Sequence, residues 1–118
     1  MDIQRPKRTS TGAKAQVGLS TAALVAERDL SQAVVDMAMW MRWKVYRTWN
    51  SQHSPAGYPD LTMTRDGRLI FAELKRPAKN PTTEQEEWLT AFRKVPGAEV
   101  YVWRPSDWQD GGVEAVLR

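Results

Sequence analysis

The sequence predicts an α/β sandwich, with helices flanking a small mixed sheet in the order α-β-β-β-α-β. Three observations carry that expectation. An apolar stripe recurs at helical spacing near residue 30, three short β-rich runs follow, and a capped helical segment precedes a last strand. Ser20 or Thr21 can cap the first helix, whose face is Leu24, Leu30, Val34, Met37, Ala38 and Met41. Lys44 to Trp49 alternates and reads as a strand, and residues 50–59 form a turn-rich loop. Asp60 to Thr64 is a second strand, and Arg65-Asp66-Gly67-Arg68 a hairpin turn with Asp-Gly at its centre. Leu69 to Lys75 is apolar enough to be a central strand covered on both faces.

Pro77 and Pro81 bracket the next loop. A helix opens at Thr82 or Thr83, since Thr82 with Gln85 and Thr83 with Glu86 each fit a capping box. Its expected buried face is Trp88, Leu89, Phe92 and Val95, and Pro96-Gly97 ends it. Glu99 to Trp103 is the last strand, closed by Arg104-Pro105-Ser106-Asp107, and Val113 to Leu117 is a terminal segment of unassigned type.

Composition excludes several classes of protein. At 118 residues the chain has room for one domain and a modest core. With no cysteine there is neither a disulfide scaffold nor a thiolate metal site, and a single histidine, His53, excludes His-rich zinc motifs. No apolar run reaches the length of a membrane span or a signal peptide, so the expectation is a soluble intracellular protein. The net charge of +3 belongs to residues 1–20, where Arg5, Lys7, Arg8 and Lys14 face Asp2; residues 21–118 hold 13 basic and 13 acidic residues. Residues 1–20 are thus expected to be a disordered basic tail able to add phosphate affinity, with one domain over 21–118.

Glu73 and Lys75 stand two apart on the most apolar strand, so they leave the same face. A hairpin would bring Asp60 beside Glu73, because paired strands lie about 4.8 Å apart. Carboxylates that close repel unless a proton or a cation intervenes, and oxygen ligands favour Mg²⁺ or Mn²⁺. Lys75 beside them can offset charge, hold a water or stabilise an oxyanion, as metal-assisted phosphodiester hydrolysis needs. Gln85 falls in helical phase with Trp88 and Leu89 and is expected to point at the sheet. A Glu-x-Lys pair on a strand is more often simply solvent-facing; it is the apolar setting that argues for a site.

At these residues the sequence resembles the VRR-NUC domain of the PD-(D/E)XK nuclease superfamily. The likeness runs through Gly57-Tyr58-Pro59-Asp60-Leu61, Glu73-Leu74-Lys75, Thr83-Glu84-Gln85-Glu86-Glu87-Trp88-Leu89 and Val100-Tyr101-Val102-Trp103-Arg104-Pro105-Ser106-Asp107. It extends back through Glu27-Arg28-Asp29-Leu30 and Val34-Val35-Asp36-Met37-Ala38, covering about residues 24–108. The resemblance implies a restriction-endonuclease-like core and Mg²⁺ or Mn²⁺ held by Asp60, Glu73 and the Leu74 carbonyl. It further implies that Lys75 positions the attacking water, that Gln85 orients it or supports the site, and that Glu27 completes the acidic set. Two loop positions depart from the pattern: Arg47 stands where relatives often carry histidine, and Gln52 where they often carry arginine. Arg42 replaces a glycine before the first strand, an exchange expected to be harmless.

Arg47, Arg76, Lys79 and Arg104 flank the expected site and can contact phosphates, though each is as readily a solvated rim; His53, in the loop before Asp60, can do the same, but a lone loop histidine is more often a surface residue. Of the six tryptophans, Trp88 and Trp103 read as core; Trp40, Trp43, Trp49 and Trp108 suit packing, a dimer surface or stacking on unpaired bases. The resemblance implies a phage or bacterial endonuclease acting in the cytoplasm of the bacterial or infected cell on branched DNA, such as Holliday junctions or flaps. A helicase or other replication or recombination partner would be unspecified by the sequence. Coordinated junction cutting would need a homodimer with two sites. The alternative is a non-catalytic nucleic-acid-binding module on the same fold.

Overall fold

The computed structural model describes residues 27–49 and 55–118, with the side chains of Glu27 and Arg28 excepted. The basic tail, the expected caps at Ser20 and Thr21, Leu24, Gln52 and His53 lie outside the described residues.

Helix α1 (Glu27–Trp40) is followed by β1 (Lys44–Arg47), β2 (Leu61–Arg65), β3 (Arg68–Leu74), α2 (Thr83–Arg93) and β4 (Ala98–Trp103). This is the expected α-β-β-β-α-β order. Two short helices then follow, α3 (Pro105–Gln109) and α4 (Gly112–Leu117). The Arg104-Pro105 segment read as a strand closure therefore opens a helix, with Pro105 at its first turn, where its missing N–H costs nothing, and Asp107 Oδ2 accepting from the Arg104 amide. The first strand ends at Arg47 rather than Trp49.

The four strands lie in the order β1-β2-β3-β4. The first three form an antiparallel meander, and β4 joins β3 in parallel through the α2 crossover. Asp66 and Gly67 carry φ of 51° and 81°, as a two-residue type I′ hairpin requires, so the β2–β3 register is fixed with Leu61 opposite Ala72.

The sheet has two unlike faces. On one, Leu61, Met63, Ile70, Ala72 and Leu74 pack with Leu30, Val34 and Ala38 of α1 and with Val113 and Leu117 of α4. Trp43, left open between several roles, lies in this core; its indole N–H donates to the Leu117 carbonyl at 2.8 Å. The Arg65 and Arg68 guanidiniums lie 4.7 and 4.9 Å from its ring centre. The opposite face carries a smaller aromatic cluster under α2. Phe71 and Phe92 stack at 3.8 Å, and Tyr58 meets Trp88 edge-on at 5.1 Å. Val95, expected on the buried face of α2, is 49% exposed because the helix has already ended at Arg93. Trp40 and Trp49 are exposed as well.

The end of α1 explains the glycine that Arg42 replaces. The Trp43 amide donates to the Ala38 carbonyl at 2.9 Å and the Arg42 amide to that of Met39 at 3.0 Å, a Schellman closure that forces the residue between into the left-handed region. Arg42 occupies it at φ 72°. The exchange is therefore not neutral: a residue with a Cβ pays about 1 kcal/mol there. Arg42→Gly is expected to raise stability by roughly 0.5–1 kcal/mol, measured by urea unfolding.

Arg68 forms two 2.8 Å bonds with the Glu99 carboxylate, which also accepts from the Tyr101 hydroxyl. The Arg68 hydrogen bonds hold the Glu99 carboxyl below its ordinary range despite partial burial, and burial together with Glu99 pushes the Tyr101 phenol up to about 12. A lowered carboxylate pKa gives stability that is present above the ordinary value and lost as pH falls through the folded one. Glu99→Gln is accordingly expected to cost about 1 kcal/mol at neutral pH and to flatten the decline in stability below about pH 4.5, read from denaturant midpoints against pH.

Candidate active site

Asp60 immediately precedes β2, one residue beyond the Leu61–Ala72 pair, so the antiparallel register continues to Glu73. Its carbonyl accepts from the Thr48 amide at 2.9 Å, extending the β1–β2 ladder. Its carboxylate Oδ2 accepts from the Leu74 amide at 2.8 Å, which pins the side chain across the hairpin onto the Glu73-Leu74-Lys75 segment. In an extended strand the N–H and C=O of one residue leave on the same side, so the Leu74 carbonyl shares that edge with Asp60.

Among the described residues Glu73 is the one buried charged side chain, at 1% exposure. Strand alternation turns it away from the Ala72 and Leu74 side and toward α2, together with Lys75. The Lys75 ammonium lies 3.7 Å from Glu73 Oε2 and is itself largely shielded. The Lys75 amide donates to the Trp103 carbonyl at 2.9 Å, so β4 fixes the backbone at the end of β3.

Helix α2 roofs this face. Thr82 Oγ1 accepts from the Gln85 amide, and Gln85 Oε1 accepts from the Thr82 amide at 2.8 Å, completing the first of the two capping boxes the sequence offers. The Gln85 carboxamide oxygen is thus spent on the helix terminus rather than turned to the sheet; the two readings of this residue competed, and the cap prevails. The loop carrying Tyr58 and Asp60 is clamped against the same turn. Trp88 Nε1 donates to the Ala56 carbonyl at 3.1 Å, and Gly57, at φ 92°, approaches so closely that a Cβ would lie 2.5 Å from the Glu84 carbonyl carbon. Tyr58, Phe71 and Phe92, which the sequence reading did not single out as a unit, fill the space between. The spacing of an aromatic two residues before Asp60 and another two before Glu73 was the available signal.

The flanking cations are differently engaged. Arg47 donates to Ser31 Oγ and Gln32 Oε1, turning to the α1 side of the sheet. Arg104 donates through Nε and Nη2 to the Lys79 carbonyl and so ties down the loop before α2. Arg76 and Lys79 are exposed. The Glu27 side chain and His53 lie outside the described residues.

Oxygen donors from two carboxylates and a strand carbonyl fit a hard divalent cation, and Lys75 balances part of their charge. Among the described residues no group of three or more His, Cys, Asp or Glu side chains converges.

Gly57→Ala is expected to cost about 2–3 kcal/mol, through left-handed strain and collision with the α2 backbone, and to loosen the loop that carries Asp60. Urea unfolding gives the first effect and hydrogen exchange at residues 56–62 the second.

No protein-family model and no curated protein matches the chain. A solved VRR_NUC domain superposes with a TM-score of 0.60 at 25% identity, covering 77% of this chain and 92% of its own. A VRR_NUC domain protein gives 0.56 at 19% identity over 78% and 85%, a likeness of fold. Hjc, a Holliday junction resolvase from the archaeal hyperthermophile Archaeoglobus fulgidus, gives 0.44 at 26% identity over 66% and 63%. In fold, the chain is similar to these VRR_NUC domains.

Proposed function

We propose that the protein is a metal-dependent DNA endonuclease acting on branched DNA. The observation that supports this reading most is the pairing of a pinned Asp60 with a buried Glu73 and the adjoining Lys75 on one face of the sheet. Burying a carboxylate in a sheet is costly, and a purely structural role would be served better by an apolar residue. Asp60, Glu73 and the Leu74 carbonyl would hold Mg²⁺ or Mn²⁺. When bound, that ion supplies Lewis-acid activation of the phosphodiester and offsets the charge that builds up in hydrolysis.

The chain's own residues divide the remaining work. Lys75 holds the attacking water against the phosphate and offsets the negative charge that develops there. Glu73, 3.7 Å from it, keeps the ammonium in place. Gln85 acts as a positioning residue: by closing the α2 cap it fixes the turn on which Gly57 rests, and through that turn the Asp60 loop. Lys79, exposed on the rim, can contact a phosphate, and Arg76 lies exposed beside it. Branched substrates follow from the VRR-NUC resemblance. Cutting a junction on both strands requires two copies of a one-site domain, so a junction preference goes with a homodimer in solution.

Cleavage of matched linear, flap and four-way-junction DNA with Mg²⁺, Mn²⁺ or EDTA tests the reading. Expected are cutting only with metal, faster cutting of the branched forms, and loss of about a hundredfold or more in Glu73→Ala and Lys75→Ala. Cutting that survives both substitutions overturns the site. Binding without cutting under any metal would make the chain a nucleic-acid-binding module instead.

A further inference from the structure

Helix α2 covers only part of the face that carries the site. It packs on the β3–β4 side, where Phe71 meets Phe92 and α2 contacts β4. Among the described residues, the same face is exposed on its β1–β2 side. Val45 packs against the α1 core and Arg47 donates to Ser31 and Gln32, so the alternate residues Lys44 and Tyr46 project from the opposite face, that of Asp60, Glu73 and Lys75. Register aligns Tyr46 with Thr62 and Phe71 in one row across the sheet, with Asp60 and Glu73 two residues further along. Tyr46 is 56% exposed in the middle of a strand, and Lys44 and Thr64 beside it are exposed too. Lys44 makes this shelf cationic up to Asp60; of its threonine hydroxyls, that of Thr64 donates to the Arg68 carbonyl at 2.7 Å and that of Thr62 lies 3.3 Å from the Tyr58 hydroxyl.

We infer that the shelf seats an unpaired stretch of DNA strand leading into the site, with a base stacked on the Tyr46 ring and a phosphate on Lys44. This rests on the nuclease reading above and adds to it which form of DNA is engaged and by which residues. An aromatic ring in a strand, flanked by a lysine and hydroxyls, is the combination that holds single-stranded nucleic acid without base-specific contacts. Strand geometry sets Tyr46 roughly 5 Å to the side of Asp60 and about 7 Å along, within about two nucleotide steps of the reacting phosphate. A stacked base there would hold the strand in line with the carboxylates. Paired bases keep their faces within the duplex and offer the ring nothing comparable. The shelf thereby distinguishes DNA with an unpaired segment from continuous duplex.

Anisotropy of fluorescein-labelled flap DNA and of matched duplex, measured in EDTA across one salt series for every variant, tests this on the full chain. Tyr46→Ala is expected to raise Kd for the flap about tenfold and to leave the duplex within about twofold, while Tyr46→Phe keeps flap binding. Lys44→Ala is expected to weaken both DNAs and to lower the salt slope by about one. Flap binding unchanged in Tyr46→Ala, or weakened equally with the duplex, overturns the inference. So does Tyr46→Ala converting a dimer to a monomer with DNA binding intact, since the shelf would then face a second copy. A protein that binds as expected but cuts nothing with Mg²⁺ or Mn²⁺ overturns the nuclease reading and leaves the shelf standing. One that cuts with metal while Tyr46→Ala binds normally does the reverse.

Discussion

A carboxylate shielded from water in the middle of a sheet is the constraint around which this molecule is built. Glu73 occupies a position that the rest of β3 fills with Ile70, Phe71, Ala72 and Leu74, and Lys75, within ion-pair range on the same face, offsets its charge. That pairing needs β3 to keep its extended form through its last residue. The parallel bond from the Lys75 amide to Trp103 and the Asp60 carboxylate on the Leu74 amide hold it there from either side. Remove either partner strand and the acidic pair loses its geometry together with its shelter.

The two faces of the sheet divide stability from chemistry. The α1 side is a continuous aliphatic core sealed by Trp43, with the guanidiniums of Arg65 and Arg68 laid over its ring and Arg65 donating to the same Leu117 carbonyl as the indole and to that of Arg118. The α2 side is aromatic and smaller, and much of its contact is spent on holding one loop: Tyr58 against Phe71, Trp88 and Phe92, and Gly57 against the helix terminus. A loop anchored by rings and a close backbone approach gives Asp60 a fixed position even though it stands outside the strand proper.

Much of this was legible in the chain. Periodicity gave α1 and α2, Asp-Gly gave the hairpin and its register, and two-residue spacing put Glu73 and Lys75 on one face. What escaped was set by competition between partners that lie far apart in sequence. Gln85 fits both a cap and a site, and only the folded backbone shows its oxygen committed to Thr82. Arg47 and Arg104 donate to Ser31, Gln32 and the Lys79 carbonyl, partners that no spacing in the chain announces. The short α3 and α4 have too few residues for a periodic signal, and they exist because Pro105, Val113 and Leu117 find cover against the core.

The I′ turn at Asp66-Gly67 has a consequence for how the protein reaches its native state. Because the two acids sit at the open end of one hairpin, their approach is a local event, of the kind completed in about 1–10 μs, whereas α2 and β4 arrive only through a crossover that closes a much longer loop. The repelling pair therefore comes together before its aromatic roof exists, while water still reaches it and screens it. Glu73 gives up its water when the crossover docks, so the electrostatic cost of burying it weighs on closure of the roof more than on the pairing of the strands.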